Sequence, residues 1–573
     1  MHSQEEGAAL IVHHLIQCGG DGERIAHYAE LAGQRAYVLS AYLDAERYYR
    51  QAIHYHEEHL QKRQQGTSKE HIVALQEYLA DCLRMLNHPN EACEVYEQIL
   101  ASYNLQHPDP HNVQLQALIW FHIARTWYNR SNMEQTLRCC EQGEQLLHAA
   151  GIASGGSLAY LFLQQSFVYW RKGLYTRALQ LAQQTCSLFE DMLQQTKSEI
   201  EQLDSTSPIQ SMLIGDITNL AHAFYHLGAI SNSSGQYEEA LHYLNKALKI
   251  FEQQNLRRSV AIACNDIGDI HMRLANFSQA QAFLERALQD AKYAGDLLLA
   301  SYAIGNFGLV AMRRGQLAEA ETHLRHAIIQ VEYHNNLIGK VLFSPNLAIV
   351  LSAQEKVSEA RKIVCTALTT ARRLHLVPYI GSVLIILGNM RLLQAITIIE
   401  HNDLPTPQAR THLLKKARGV LEYALNLEGL EAETRLEGDL ALLEVCWHLD
   451  PYTDIYEQIV QLQTKCQQCK LVWLLPRIER LQGDIQAARE KHEQATCHFE
   501  QSMHYARQYG LHWEYGRTLY CYGHCLLKRP AGDNLARGKA YLQEAHEIFT
   551  ACHTISELHK VENLLAITFP DES

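Results

Sequence analysis

In two stretches of the chain, LGAISNSSGQYEEALHYLNKAL (227–248) and FGLVAMRRGQLAEAETHLRHAI (307–328), apolar and polar positions alternate at helical spacing on either side of a short turn. Each predicts a pair of antiparallel helices. The pairs recur: Gly228, Gly268, Gly308 and Gly388 stand on a 40-residue ladder, and Ala348 fills the missing rung. Twelve residues after four of these rungs come Ala240, Ala280, Ala320 and Ala360, and seven further on Ala247, Ala287, Ala327 and Ala367. A glycine inside a helix costs roughly 1 kcal/mol relative to alanine, so its return at a fixed period implies close approach of a second helix. The later alanine lets the next pair stack. Gly235 and Gly315 fall between the paired segments, and Gly295 and Gly510 after second helices, where a left-handed helix stop belongs.

The ladder extends both ways. Gly33 pairs with Ala45 and Ala52, Ala80 with Ala92, Ala124 with Thr136, and Ser166 with Ala178. Downstream, Gly483 pairs with Ala495, and Gly523 opens a unit with an insertion around Arg529 to Asn534. Residues 430–470 predict one more pair without the signature small residues. Loops are expected at Lys62–Glu70, His107–Asn112 and Gly151–Ser157. Departures from the period give joints: a lengthened helix and a break at Asp204–Pro208, and an insertion containing Asp403–Pro407. The resulting division is an N-terminal block 1–207, a regular array 208–429 and a C-terminal block 430–573 closed by an amphipathic helix, Ser556 to Ile567. About eleven or twelve pairs result, an all-α fold.

These residues resemble the tetratricopeptide repeat family in its longer-period form: the small-residue positions, the aromatic after the turn (Tyr237, Phe277) and the closing Ala-Leu all match. The resemblance implies a right-handed α-solenoid whose concave surface, lined by each first helix, binds a peptide or partner protein. A narrower resemblance covers residues 13–53, which look like the junction where bacterial signal-transduction ATPases enter their C-terminal helical repeats. Maltose-regulon type activators carry such an array as a sensor. The ATPase and the DNA-binding effector have no counterpart in this sequence.

Relative to the ladder glycine, positions −3, +1, +4 and +5 form one stripe of the first helix. This stripe holds Tyr225, Asn232, Asn265, Asp269, Arg273, Arg313 and Asn389, with Asn306 and Asn346 beside it at −2. Asparagine is a poor interior helix residue whose amide offers both donor and acceptor to an extended chain. Arg273 and Arg313, 40 residues apart, suit the clamping of carboxylates. The plainer alternative is that the asparagines bond neighbouring turns and the arginines are solvated.

Composition supports this picture. With 12 Pro and 31 Gly in 573 residues, helix breakers are scarce, and 47% hydrophobic residues supply a core. A formal charge of −13 argues against direct nucleic-acid or anionic-membrane binding. The 15 cysteines, many at apolar helical positions such as Cys82, Cys93, Cys186, Cys264 and Cys365, read as reduced thiols of a cytoplasmic protein. The N-terminus lacks the basic region of a signal peptide, and the longest apolar stretch, Tyr379 to Glu400, carries Asn389, Arg391 and Gln394, which oppose membrane insertion.

No Walker A loop, dinucleotide fingerprint, zincin motif or nucleophile elbow is present. Cys466-x-x-Cys469 has zinc-ligand spacing, with Cys497, His498, Cys521, His524 and Cys525 in the following units, but these read more simply as small buried residues and surface histidines, and His54, His56 and His59 as an exposed polar helix face. The expectation is therefore a non-catalytic scaffold or sensor of bacterial regulation, without cofactor or metal, binding a peptide or protein segment in its groove. The alternative is a small-molecule-sensing domain acting on a separate ATPase or transcription apparatus.

Overall fold

The structure, a computed structural model, describes residues 2–39, 41–63, 69–86, 88–103, 109–130, 132–199, 217–397, 407–529 and 532–569. Among these it contains 26 α-helices and no strand. The fold is an all-α solenoid of tetratricopeptide-like helix pairs. The expected joint at Asp204–Pro208 and the insertion at Asp403–Thr406 lie outside the described residues.

Contacts gather the chain into two compact units. One comprises residues 1–170 with 176–223; the other comprises 171–175 with 224–573. In the first unit, α1 (His2–Gln17) is followed by α2 (Gly22–Val38), α3 (Tyr42–Arg63), α4 (Lys69–Met85), α5 (Pro89–Ser102), α6 (Pro110–Asn129), α7 (Met133–Ala149), α8 (Gly156–Arg171) and α9 (Tyr175–Glu199). Ser166 replaces the ladder glycine here, and its hydroxyl donates to the Ala178 carbonyl at 2.8 Å, fixing the pair the spacing predicts.

The regular array starts with α10 (Ile217–Ser233), which enters the second unit at Phe224, and continues with α11 (Tyr237–Gln253), α12 (Arg257–Arg273), α13 (Phe277–Tyr293), α14 (Leu297–Arg314), α15 (Leu317–Tyr333), α16 (Leu337–Ala353) and α17 (Val357–Arg373). The long pair α18 (Val377–Thr397) and α19 (Pro407–Leu425) follows. Then come α20 (Ala432–Leu449), α21 (Tyr456–Gln468), α22 (Leu475–Ala488), α23 (His492–Gln508), α24 (His512–Leu527), α25 (Asn534–Cys552) and α26 (Ile555–Thr568).

The glycine ladder has a sharper cause than backbone contact with alanine. A Cβ on Gly228, Gly268 or Gly308 would stand 2.8 Å from Cγ of Leu244, Leu284 or Leu324, each fully buried. At Gly388 the same space is filled by Leu421, at 2.6 Å. The glycine is a socket for a leucine of the second helix. Leu284 in turn packs in one buried cluster with Ala280, Met272 and Val310.

The turns repeat more strictly than the glycines. Residues 235, 255, 275, 295, 315, 335, 355 and 375, every twentieth, all take positive φ, although only Gly235, Gly295 and Gly315 are glycine. Asn255, Ala275, Asn335, Glu355 and His375 accept the same left-handed stop.

α18 is long and apolar enough to cross a membrane by length and composition, yet Val383, Leu384, Ile385, Leu392 and Ala395 are buried inside the protein. They meet Leu414, Leu421, Ala441 and Val445, so its all-round hydrophobicity belongs to a core helix. Cys365 is exposed, contrary to its expected place in the core, and His56 is buried at 8% exposure, contrary to a solvated histidine face.

Candidate functional site

The first helices of the second unit turn their stripe inward, and the superhelix of that unit comes round upon itself. Lys470 pairs with Glu238, 232 residues away. The Ser556 hydroxyl donates to the Ala353 carbonyl at 3.4 Å, and His559 Nδ1 lies 2.9 Å from Glu355 Oε1. These contacts join the C-terminal repeats, α20 through α26, to the regular array within this unit.

Each of the nine residues singled out from the sequence is hydrogen-bonded within the chain. Tyr225 donates to Asp266 at 2.7 Å, Asn265 donates to Asp266 at 3.2 Å, and Asn306 donates to Asn265 at 3.0 Å, so the amide stripe links three successive repeats. Asn232 reaches Asp269 at 3.3 Å, and its own Oδ1 is buried without a partner. Asn346 turns back to the Leu342 carbonyl of its own helix. Asn389 donates to Glu437 and accepts from Arg477.

Arg273 and Arg313 do converge on a carboxylate, and it belongs to the chain. Arg273 Nη1 lies 2.6 Å from Glu433 Oε2, and Arg313 Nη2 lies 3.0 Å from Glu433 Oε1. Arg273 also holds Asp269 at 2.8 Å and Glu431 at 3.4 Å. Burial pushes Glu431 up from the usual carboxylate range, with Arg273 opposing it. The Arg313 guanidinium sits 3.2 Å over the Trp473 ring centre.

Beyond this clamp the interior opens into a cavity of 230 Å³. A second cavity of 620 Å³ shares Met390, Leu393, Arg517, Glu557 and Lys560 with it as a common wall. Two classes of charge line the first. Arg477, Arg480 and Arg517 are satisfied: Arg477 on Glu444 and Asn389, Arg480 on Glu514 at 2.7 Å, Arg517 on Glu557 at 2.8 Å. Burial alone would raise the Glu514 carboxyl, but Arg480, Arg517 and Arg477 outweigh it and hold it down at about 2.

The other class has no opposite charge within ion-pair distance among the described residues: Asp484, Glu437, His448 and Lys560. Burial raises Asp484 to about 7, against the pull of Arg480 and Lys528, and lowers His448 to about 4. Burial also raises Glu437. Trp473, Trp513, Tyr520 and Phe549 supply apolar wall between these groups. Mixed polar and aromatic lining in a concave space is the ordinary make-up of a ligand site.

Of the asparagine–arginine stripe, Arg313 and Asn389 line the cavity, which is built largely from C-terminal repeats whose lining residues lie outside the nine expected ones. The signal was available. The offsets −3 and +1 from Gly483 give Arg480 and Asp484, and −3 from Gly523 gives Tyr520. Glu437, His448 and Lys560 lie on helices without the glycine marker, and no sequence rule singles them out. Cys466 is fully buried and Cys469 half-buried, and no third ligand gathers at them among the described residues.

A tetratricopeptide repeat family profile matches residues 219–292, the first pair of the regular array and the pair after it. The match agrees with the helical-repeat solenoid described above. Among solved structures it is similar to a Rap protein complexed with competence and sporulation factor, at 14% identity, covering 70% of this chain and 100% of that one, with a TM-score of 0.45. It is also similar to a signal-transduction ATPase with a tetratricopeptide repeat sensor from Pyrococcus horikoshii, at 13% identity, 66% and 54% coverage and a TM-score of 0.40. The APC/C hetero-tetramer Cut9–Hcn1 aligns at 13% identity over 96% of this chain and 94% of that one, with a TM-score of 0.49. No curated protein matches the chain.

Proposed function

We propose that the chain is a non-catalytic sensor or scaffold of bacterial regulation whose second unit takes a peptide or protein segment into its interior. The observation that supports this is the division of the cavity's charges. A structural network neutralises itself, as Arg477, Arg480 and Arg517 do. Asp484, Glu437 and Lys560 stand half-buried with no opposite charge within ion-pair distance among the described residues, Glu437 holding only the Asn389 amide, beside Trp473 and Trp513. Burying such groups without partners costs free energy, and a bound chain carrying both signs of charge and amide groups returns it. The resemblance of residues 13–53 to the junction in signal-transduction ATPases supports the regulatory setting.

The test is selection from a random peptide display library on the full chain, followed by binding of the enriched peptides to Asp484→Asn and Lys560→Ala variants. Peptides that bind the parent and lose at least tenfold in affinity on these variants support the interior site. Peptides indifferent to both place recognition elsewhere.

A second reading, a small-molecule sensor, is favoured by the small volume of the 230 Å³ space. Native mass spectrometry of freshly purified protein distinguishes the two. A co-purifying small molecule lost from the Asp484→Asn variant supports the second reading over the first.

A further inference from the structure

In the first unit, three successive helices bring together a set of side chains unrelated to the interior of the second. Glu30 stands on α2, His56 on α3 and His71 on α4, far apart in sequence, and one ligand atom of each lies within 4.8 Å of the others. His71 Nε2 is 2.9 Å from Glu30 Oε2, and His56 Nε2 is 4.0 Å from the same oxygen. The two imidazoles are 5.2 Å apart and nearly perpendicular, at 86°, so both Nε2 atoms approach one point beside the carboxylate. We propose that Glu30, His56 and His71 form a binding site for a divalent transition-metal ion of the zinc class.

The geometry and the donor set point the same way. Around a four-coordinate zinc with metal–ligand bonds of about 2.0–2.2 Å, neighbouring ligand atoms stand about 3.3 Å apart. The observed separations of 2.9 and 4.0 Å bracket that value, so rotamer adjustment of less than about 1 Å brings these donors to the spacing of the shell. Gln34 Nε2 donates to Glu30 Oε1 at 3.1 Å. It thereby fixes the far oxygen and leaves Oε2 for the ion, the outer support that metal carboxylates ordinarily have. The three residues also line a cavity of 770 Å³ with Asp21, His27 and Tyr28, which leaves room for water or a further side chain in the fourth position. Two histidines and one carboxylate with an open position is a recurrent zinc set. The ion would tie two repeats together at the start of the solenoid.

The experiment uses the full reduced chain, stripped with chelator and titrated with Co²⁺ alone and then Zn²⁺ alone. The expected result is one equivalent of Co²⁺ giving four-coordinate d–d absorption without thiolate charge transfer, displaced by Zn²⁺. Glu30→Gln and His71→Ala should each weaken binding by at least about tenfold, whereas His27→Ala, in the same cavity, should change it less than twofold. Glu30→Gln retains size and hydrogen bonding, so it remains informative if His71→Ala does not fold. Absence of binding, thiolate charge transfer in the bound form, or affinity unchanged in Glu30→Gln would each overturn the proposal.

Discussion

Arg273 and Arg313 occupy equivalent places in consecutive first helices, 40 residues apart, and both close on the one carboxylate of Glu433, which sits between them at 2.6 and 3.0 Å. All three side chains are largely withdrawn from water, at 15%, 17% and 10% exposure. Removing Glu433 leaves Arg313 charged without its ion pair, while Arg273 keeps Asp269 and Glu431; breaking a buried pair costs about 3–5 kcal/mol. Glu433→Gln is therefore expected to lower stability by about 3 kcal/mol in denaturant unfolding. The double variant Glu433→Gln/Arg313→Met is expected to recover part of that loss. A neutral single variant would mean that the clamp is solvated.

The same clamp changes how a charge reversal at Arg273 or Arg313 reads. In sequence terms the pair looked available to an outside carboxylate. In the folded chain, reversal confronts Glu433 with a like charge and separates α20 from the array. A binding loss in such a variant would report the collapse of the interior. Asp484 and Lys560 are cleaner probes because neither pairs with an opposite charge among the described residues.

The ladder glycines and the turn glycines should respond differently to alanine. Gly295→Ala meets no neighbour but keeps φ at 71°, so its cost is left-handed strain of about 1 kcal/mol. Gly268→Ala gains helix propensity and collides with Leu284 Cγ at 2.8 Å in a full core, for a net loss of about 1–2 kcal/mol. Coupling tells the two apart. The loss from Gly268→Ala should shrink in a Leu284→Ala background, while that from Gly295→Ala should not change.

How far the sequence could be read follows from these contacts. The period was visible because each helix pair must reuse the same small-residue contacts, so Gly228, Gly268, Gly308 and Gly388 announce the fold. The left-handed turns at Ala275, Glu355 and His375 carry no marker, because the surrounding pair enforces their conformation whatever the side chain. The stripe residues bond one another across successive repeats, as Tyr225, Asp266, Asn265 and Asn306 do. The targets of Arg273 were illegible, since Glu433 and Glu431 lie 160 and 158 residues beyond it on a pair without signature residues. Superhelical return is a property of accumulated small rotations between pairs, and no local pattern encodes which turn will meet which.

Asp484 gives the cavity a pH signature. Its carboxyl is raised to about 7 when folded, chiefly by burial, with Arg480 and Lys528 pulling down and Glu444 adding to the rise. The folded chain then holds a proton that the unfolded chain has released between about pH 4 and 7. Stability from this group is present below pH 4 and declines as pH rises towards 7. Asp484→Asn should flatten that part of the stability profile measured by thermal unfolding. A profile identical to the parent's would mean that water reaches the carboxylate freely.

The thiols supply a last test, and one that bears on the proposed site. Burial pushes Cys82, Cys264 and Cys466 up to about 12, so at pH 8 they are almost wholly protonated as well as sterically shielded. Cys18, Cys365 and Cys497 are exposed. Alkylation of the native protein should modify these three first, with Cys82, Cys264 and Cys466 reacting only on the timescale of unfolding, as mass mapping of the labelled peptides would show. Cys365 also lines the 620 Å³ cavity that shares a wall with the unpaired Lys560. A ligand seated in the interior should therefore slow modification of Cys365 and leave Cys18 and Cys497 unchanged. Equal slowing at all three would indicate global stabilisation, and no slowing at Cys365 by a bound peptide would put that peptide outside this cavity.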